Sequence, residues 1–140
     1  MADNPQRPAR RARPLSPFVT IYHWPVTMAT SITHRFTGMG LAAALALLAW
    51  WLYAVANGPD AYREFNALAA TPLGQVILFL VVWSLAYHLL NGIRHLAWDM
   101  GFGFSKGAAR NNSVLVIVAS IVVAIAYFAA AYAGYGGYYQ

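Results

Sequence analysis

His88 and His95 stand seven positions apart on one apolar stretch, and they are the residues of this chain best suited to chemistry. On a helix they share a face but differ by about 10.5 Å in height, so both cannot bind one metal ion. A neutral imidazole in hydrocarbon needs a partner for its donor and another for its acceptor. Two readings satisfy His88: a hydrogen bond to a neighbouring helix, or ligation of a metal. The most economical metal is a haem iron whose macrocycle lies in an apolar helical slot. Arg94 and His95 would then sit toward the edge of a ring standing upright in a membrane, with Ser84 and Asn91 nearby. An earlier stretch places Ser31, His34, Arg35 and Gly38 at i, i+3, i+4 and i+7, one polar stripe of a helix. His34 and Arg35 could meet haem propionates through charge-assisted hydrogen bonds, which low dielectric favours. Arg35 also fits a plainer role, a cation snorkelling to headgroups at a helix start. No other histidine lies at the depth of His88. A six-coordinate iron would need its second ligand from another subunit; a symmetric dimer with two His88 residues or a five-coordinate iron are the alternatives. Asp99, four residues after His95, could cap its own loop, pair with Arg94, or serve protons or a quinone.

These groups need long apolar helices to carry them, and the composition supplies them. The 140-residue chain is 60% hydrophobic and 9% charged, with nine Lys+Arg against four Asp+Glu. Soluble domains carry about 25% charged residues. No charged residue occurs from Phe36 to Pro59, from Phe65 to Ile93, or from Asn111 to Gln140. Each run exceeds the ~20 apolar residues that cross a hydrocarbon core. The fold class expected is an all-α membrane protein with three transmembrane helices, at about 25–56, 72–98 and 113–133. Gly38, Ala42 and Ala46 recur every four residues on the first helix and permit close approach of another helix. Residues 1–24 form an Arg/Pro-rich leader and an interfacial segment with Tyr22, His23 and Trp24; residues 135–140 form a short outer tail. Asn57 to Thr71 reads as a loop or an interfacial helix, and residues 99–112 as a loop. Thr71-Pro72 is a good helix start, with Thr as cap and Pro in the first turn. Composition does not separate the packed from the lipid-facing side of the third helix.

Lack of cysteine removes disulfides, thiol nucleophiles and cysteine-ligated clusters from this chain. Arg7, Arg10, Arg11 and Arg13 supply most of the net charge of +5. Beside a membrane domain they read as an anchor on anionic lipid rather than as a nucleic-acid site. Lys106 and Arg110 share their side of the membrane across three spans, which places the N-terminus in the cytoplasm and the C-terminus outside.

The chain also resembles a known family. Arg13-Pro14-Leu15-Ser16-Pro17, Ile21-Tyr22, the block Ser31-Ile32-Thr33-His34-Arg35-Phe36-Thr37-Gly38, and the run from His88 through Gly92, Arg94 and His95 to Asp99 carry the likeness. Together they resemble the cytochrome b556 membrane-anchor subunit of bacterial succinate dehydrogenase, respiratory complex II. The resemblance spans nearly the whole chain. It implies that His88 is an axial ligand of haem b, with the other axial histidine supplied by a second, smaller anchor subunit. It implies that Ser31 and Arg35 help form the ubiquinone site beside an iron–sulfur subunit, and that His34, with His95 less directly, lies near the propionates. Asp99 matches the acidic residue that ends the second block. A flavoprotein subunit would oxidise succinate, while this chain, with no flavin site of its own, would anchor the complex in the bacterial inner membrane. Catalysis then belongs to the complex and not to this chain alone. Phe18 departs from the pattern, because related chains often carry histidine there. The competing readings are a haem-b anchor of a fumarate reductase and a non-redox structural or transport bundle.

Overall fold

The computed structural model describes residue 21 and residues 23–137. The leader with Arg7, Arg10, Arg11, Arg13 and Phe18, together with Tyr22 and residues 138–140, lies outside the described residues. Four helices follow one another: α1 (Val26–Ala56), α2 (Pro59–Ala69), α3 (Pro72–Asp99) and α4 (Lys106–Gly137). Three of them, α1, α3 and α4, are long and apolar enough to cross a membrane. The described residues contain no strand, so the expected all-α, three-span architecture is the one found. All three long helices touch one another, and α2 bridges the end of α1 and the start of α3.

Local chemistry explains the helix ends. Pro25 stands before α1 with an extended backbone, and its carbonyl accepts from the N–H groups of Met28 and Ala29 at 3.0 and 3.2 Å. The Asn57 side chain closes α1 by donating to the Tyr53 carbonyl at 2.8 Å. The corner between α2 and α3 is stitched from both sides. Thr71 Oγ1 accepts from the Gly74 N–H at 3.1 Å and donates to the Leu68 carbonyl at 2.6 Å. Gln75 Nε2 donates to the Ala69 carbonyl at 2.7 Å. The Asn57–Thr71 segment is therefore mostly helix. α2 carries an Arg63–Asp60 ion pair on its exposed side and buries Phe65 against Trp50, with ring centroids 5.0 Å apart.

One boundary departs from expectation. The third long helix begins at Lys106 rather than near Ser113, so the loop expected over 99–112 shrinks to residues 100–105, and the helix continues to Gly137, into the expected tail. Ser105 is the reason at the near end: its Oγ accepts from the Ala108 N–H at 3.2 Å and its carbonyl from the Ala109 N–H at 2.9 Å. The first turns are polar, with Lys106, Arg110, Asn111 and Asn112, so an apolar pattern does not mark them. A serine cap is comparable with the roughly 1 kcal/mol cost of Gly107 inside the helix and offsets it.

The interior is small and polar, while the exterior is apolar. Buried positions include Thr30, Thr37 and Ala54 on α1, Ala86, Tyr87, Asn91 and Arg94 on α3, and Ser113, Val116, Ser120 and Ala124 on α4. The last four recur at helical spacing and identify the packed face of α4. Leu45, Leu48, Leu52, Leu85, Leu89, Val122 and Ile125 are exposed and face the surroundings of the chain. Of the small-residue series on α1, only Gly38 is partly covered; Ala42 and Ala46 are exposed. The close approach there is local, at Gly38, because the threonines Thr30 and Thr37 take the buried positions.

Gly74 sets the α2–α3 corner. A Cβ at this position would collide with the Leu68 carbonyl oxygen and stand 2.7 Å from that of Ala69, both main-chain atoms that cannot step aside. Gly74→Ala should therefore destabilise the folded chain by about 1–3 kcal/mol. The check is thermal unfolding of the purified protein in detergent, where an unchanged midpoint would count against this tight corner.

Candidate functional site

The α1–α3 interface begins with main chain and hydroxyls rather than with ions. Tyr87 on α3 is almost wholly buried, and its hydroxyl donates to the Thr30 carbonyl of α1 at 2.9 Å. Thr30 Oγ1 in turn donates to the Val26 carbonyl at 2.7 Å. This bond pins the two helices at one level, and the residue after Tyr87 is His88. The His88 ring thereby meets α1 where its side chains are small or polar.

Three α1 residues surround that ring. His34 stacks on it with ring centroids 4.0 Å apart and planes inclined by 20°. Thr37 Oγ1 lies 3.4 Å from His88 Nδ1 and donates to the His34 carbonyl at 3.0 Å. Gly38 has no side chain to obstruct it: a Cβ there would lie 3.2 Å from His88 Cε1. His34 also approaches His95, at 5.4 Å between centroids, so it fills the space between the two α3 histidines. His95 meets the Trp98 ring edge to face at 5.1 Å. The structure thus brings His34, His88 and His95 together, and it places His34 at the depth of His88, where no other histidine was expected.

Asn91 and Arg94 are the most deeply buried polar residues of this stretch of α3. Asn91 is fully buried and Arg94 is 5% exposed. Arg94 Nη1 donates to Asn91 Oδ1 at 2.9 Å, and the guanidinium lies 4.1 Å from the Trp98 ring centroid, a cation–π contact. Arg94 Nε and Nη2, Asn91 Nδ2 and His34 Nε2 are buried with no hydrogen-bond partner among the described residues. A buried guanidinium with two unpartnered nitrogens is costly unless an acceptor from outside the chain meets it. Arg94 forms no ion pair with Asp99, which is exposed and ends α3. Ser31 is half-buried on α1, whereas Arg35, one position past His34, is exposed.

The donor set suits a haem better than a bare ion. Among the described residues no three His, Asp or Glu side chains converge to hold a metal by themselves. A macrocycle brings four equatorial nitrogens and asks the chain for one axial imidazole. His88 can supply it, because no hydrogen bond from the described residues reaches its Nε2. The idle donors on His34 and Arg94 would suit acidic substituents of such a group. Asn91 was visible in the sequence only as a neighbour of the histidines, and Thr37 and Tyr87 carry no signal of their own. Thr37 does sit three residues after His34, the spacing that puts both on one face of α1.

Comparison with known proteins gives the family. A family described as succinate dehydrogenase/fumarate reductase transmembrane subunit matches residues 9–127. The chain is similar to the succinate dehydrogenase cytochrome b556 subunit of Paracoccus denitrificans, 40% identical over 83% of this chain and 89% of the relative. The cytochrome b556 subunit of Rickettsia felis is also 40% identical, over 79% of this chain and 86% of its own. The mitochondrial cytochrome b560 subunit of Bos taurus is 37% identical over 81% of this chain and 68% of its own.

The Tyr87–Thr30 bond is the most direct tie between α1 and α3, and it can be tested alone. Tyr87→Phe keeps the ring and removes the donor, and should cost about 1 kcal/mol of stability. Thermal unfolding of the purified variant measures this; a wild-type midpoint would show that the bond contributes nothing.

Proposed function

The chain belongs to the succinate dehydrogenase/fumarate reductase transmembrane subunit family, and on that premise we propose that it is the haem-b membrane anchor of a succinate:ubiquinone oxidoreductase. It is a multi-pass protein of the bacterial inner membrane and a non-flavin member of a multi-subunit complex. The N-terminus faces the cytoplasm, where the basic leader and the Lys106–Arg110 region collect positive charge. The observation that carries the proposal is the seat of His88: an imidazole held between His34, Thr37 and Gly38, with Nε2 free of hydrogen bonds from the described residues. The names of the relatives favour succinate oxidation over the reverse reaction.

His88 would be one axial ligand of haem b, and a histidine of a second small anchor subunit the other. Haem b, when bound, supplies a one-electron store within the membrane. His34 and Arg94 would face its propionates with buried, unpartnered nitrogens, with His95 beside Trp98. Ser31 and Arg35 form part of the ubiquinone site, next to the iron–sulfur subunit that receives electrons from the flavoprotein. A quinone oxygen gains negative charge as it is reduced. Hydroxyl and guanidinium donors therefore stabilise the charge-bearing state more than the neutral quinone. Exposure of Arg35 suits this role, because its fork must reach a ligand lying outside the chain. Asp99, at the end of α3, would serve the same side of the membrane, accepting or relaying protons.

Two substitutions separate these roles. In the whole complex, His88→Ala should abolish the low-spin spectrum of a haem with two histidine ligands while the chain still inserts; an unchanged optical and electron paramagnetic resonance (EPR) spectrum would reject the ligand assignment. Arg35→Ala should lower ubiquinone reduction by about 10²-fold and leave electron transfer from succinate to an artificial acceptor near wild type. Equal losses in the two assays would reject the quinone role.

A further inference from the structure

The hydroxyl of Thr37 has one hydrogen and two neighbours that could accept it, and the shorter contact has the stronger claim on it. Thr37 Oγ1 donates to the His34 carbonyl at 3.0 Å, the backbone outlet a helical threonine commonly uses. The same oxygen stands 3.4 Å from His88 Nδ1. A carbonyl only accepts, so with its proton on the His34 carbonyl Oγ1 turns lone pairs alone toward the imidazole. Nδ1 is then the nitrogen that carries hydrogen. In a neutral imidazole Nε2 is left with its lone pair bare.

We propose that Thr37 is a positioning residue that fixes the tautomer and orientation of the His88 ring, so that Nε2 is presented as the ligand atom. This rests on His88 being the haem ligand. Thr37 is 3% exposed, so water has little access to take over from its hydroxyl. His34 covers one face of the ring, and the Gly38 backbone stands against Cε1. These contacts limit tilt, while Thr37 is the one that distinguishes the two ring nitrogens. The opposite tautomer would place the proton on the iron-facing nitrogen and set two acceptors against each other at Nδ1. An Nδ1–H bond to an acceptor also makes Nε2 more basic, which favours ferric over ferrous iron.

The test uses the intact, purified complex carrying Thr37→Val, Thr37→Ala or Thr37→Ser. It reads haem b content, the largest g-value of the ferric EPR signal, and the reduced-to-oxidised ratio in a redox titration. Val keeps the shape without the hydroxyl, Ala removes both, and Ser restores the hydroxyl. The expected result is a displaced g-value and a rise of about threefold or more in the reduced-to-oxidised ratio at the wild-type midpoint for Val and Ala, with Ser near wild type. Loss of haem from Val and Ala but not Ser would support the same role. Wild-type signals in Val and Ala, or a Ser variant altered as much as Val, would overturn it, as would loss of haem from all three. A wild-type complex lacking haem b, or a His88→Ala complex with its bis-histidine signal intact, would defeat the ligand assignment and the role of Thr37 with it. Unchanged Val and Ala signals over a normal wild-type haem would defeat the role of Thr37 alone.

Discussion

Polar groups buried inside an apolar helical bundle must find partners, and the rest of this structure follows from how α1 and α3 meet that demand. Tyr87 bonds to the Thr30 carbonyl and so sets the level at which the helices meet. One residue on, His88 finds Thr37 at its Nδ1, His34 on its face and the bare backbone of Gly38 at its edge. A larger residue at position 38 would hold the imidazole off the helix. Hydrogen bonds between helices in membranes contribute only modestly to stability, so these contacts matter more for placing groups than for holding the bundle together.

The same demand explains the groups left over. Small and polar residues line the contacts among α1, α3 and α4, and bulky aliphatic residues face outward. Lipid and neighbouring chains can cover the aliphatic surface. The buried nitrogens of Arg94, Asn91 and His34 also find no partner among the described residues of this chain.

Length and charge made most of the fold legible. Apolar runs free of charge identified three spans, and Thr71-Pro72 marked the start of α3, since capping and proline act locally. The start of α4 was hidden because Lys106, Arg110, Asn111 and Asn112 are polar; the cap at Ser105 marks where the helix begins. The packed face of α4 was equally hidden in a helix apolar all round, because burial there follows Ser113 and Ser120 rather than hydrophobicity. Of the site, periodicity linked His34 to Ser31 and Gly38, and His88 to His95. It also put Arg35 with them, whereas one residue advances a helix by about 100° and the structure leaves Arg35 exposed. Thr37 could not be singled out, since its meaning lies in a contact with a residue fifty-one positions away.

The central claim is that the His88 imidazole is an iron ligand in a haem shared between subunits. A density map of the purified, native complex tests it most directly. The account predicts a tetrapyrrole between this chain and a second membrane subunit, with its iron bonded to His88 Nε2 and its acidic groups toward His34 and Arg94. A map with lipid or a packed helix against His88, and no tetrapyrrole bonded to it, would contradict it.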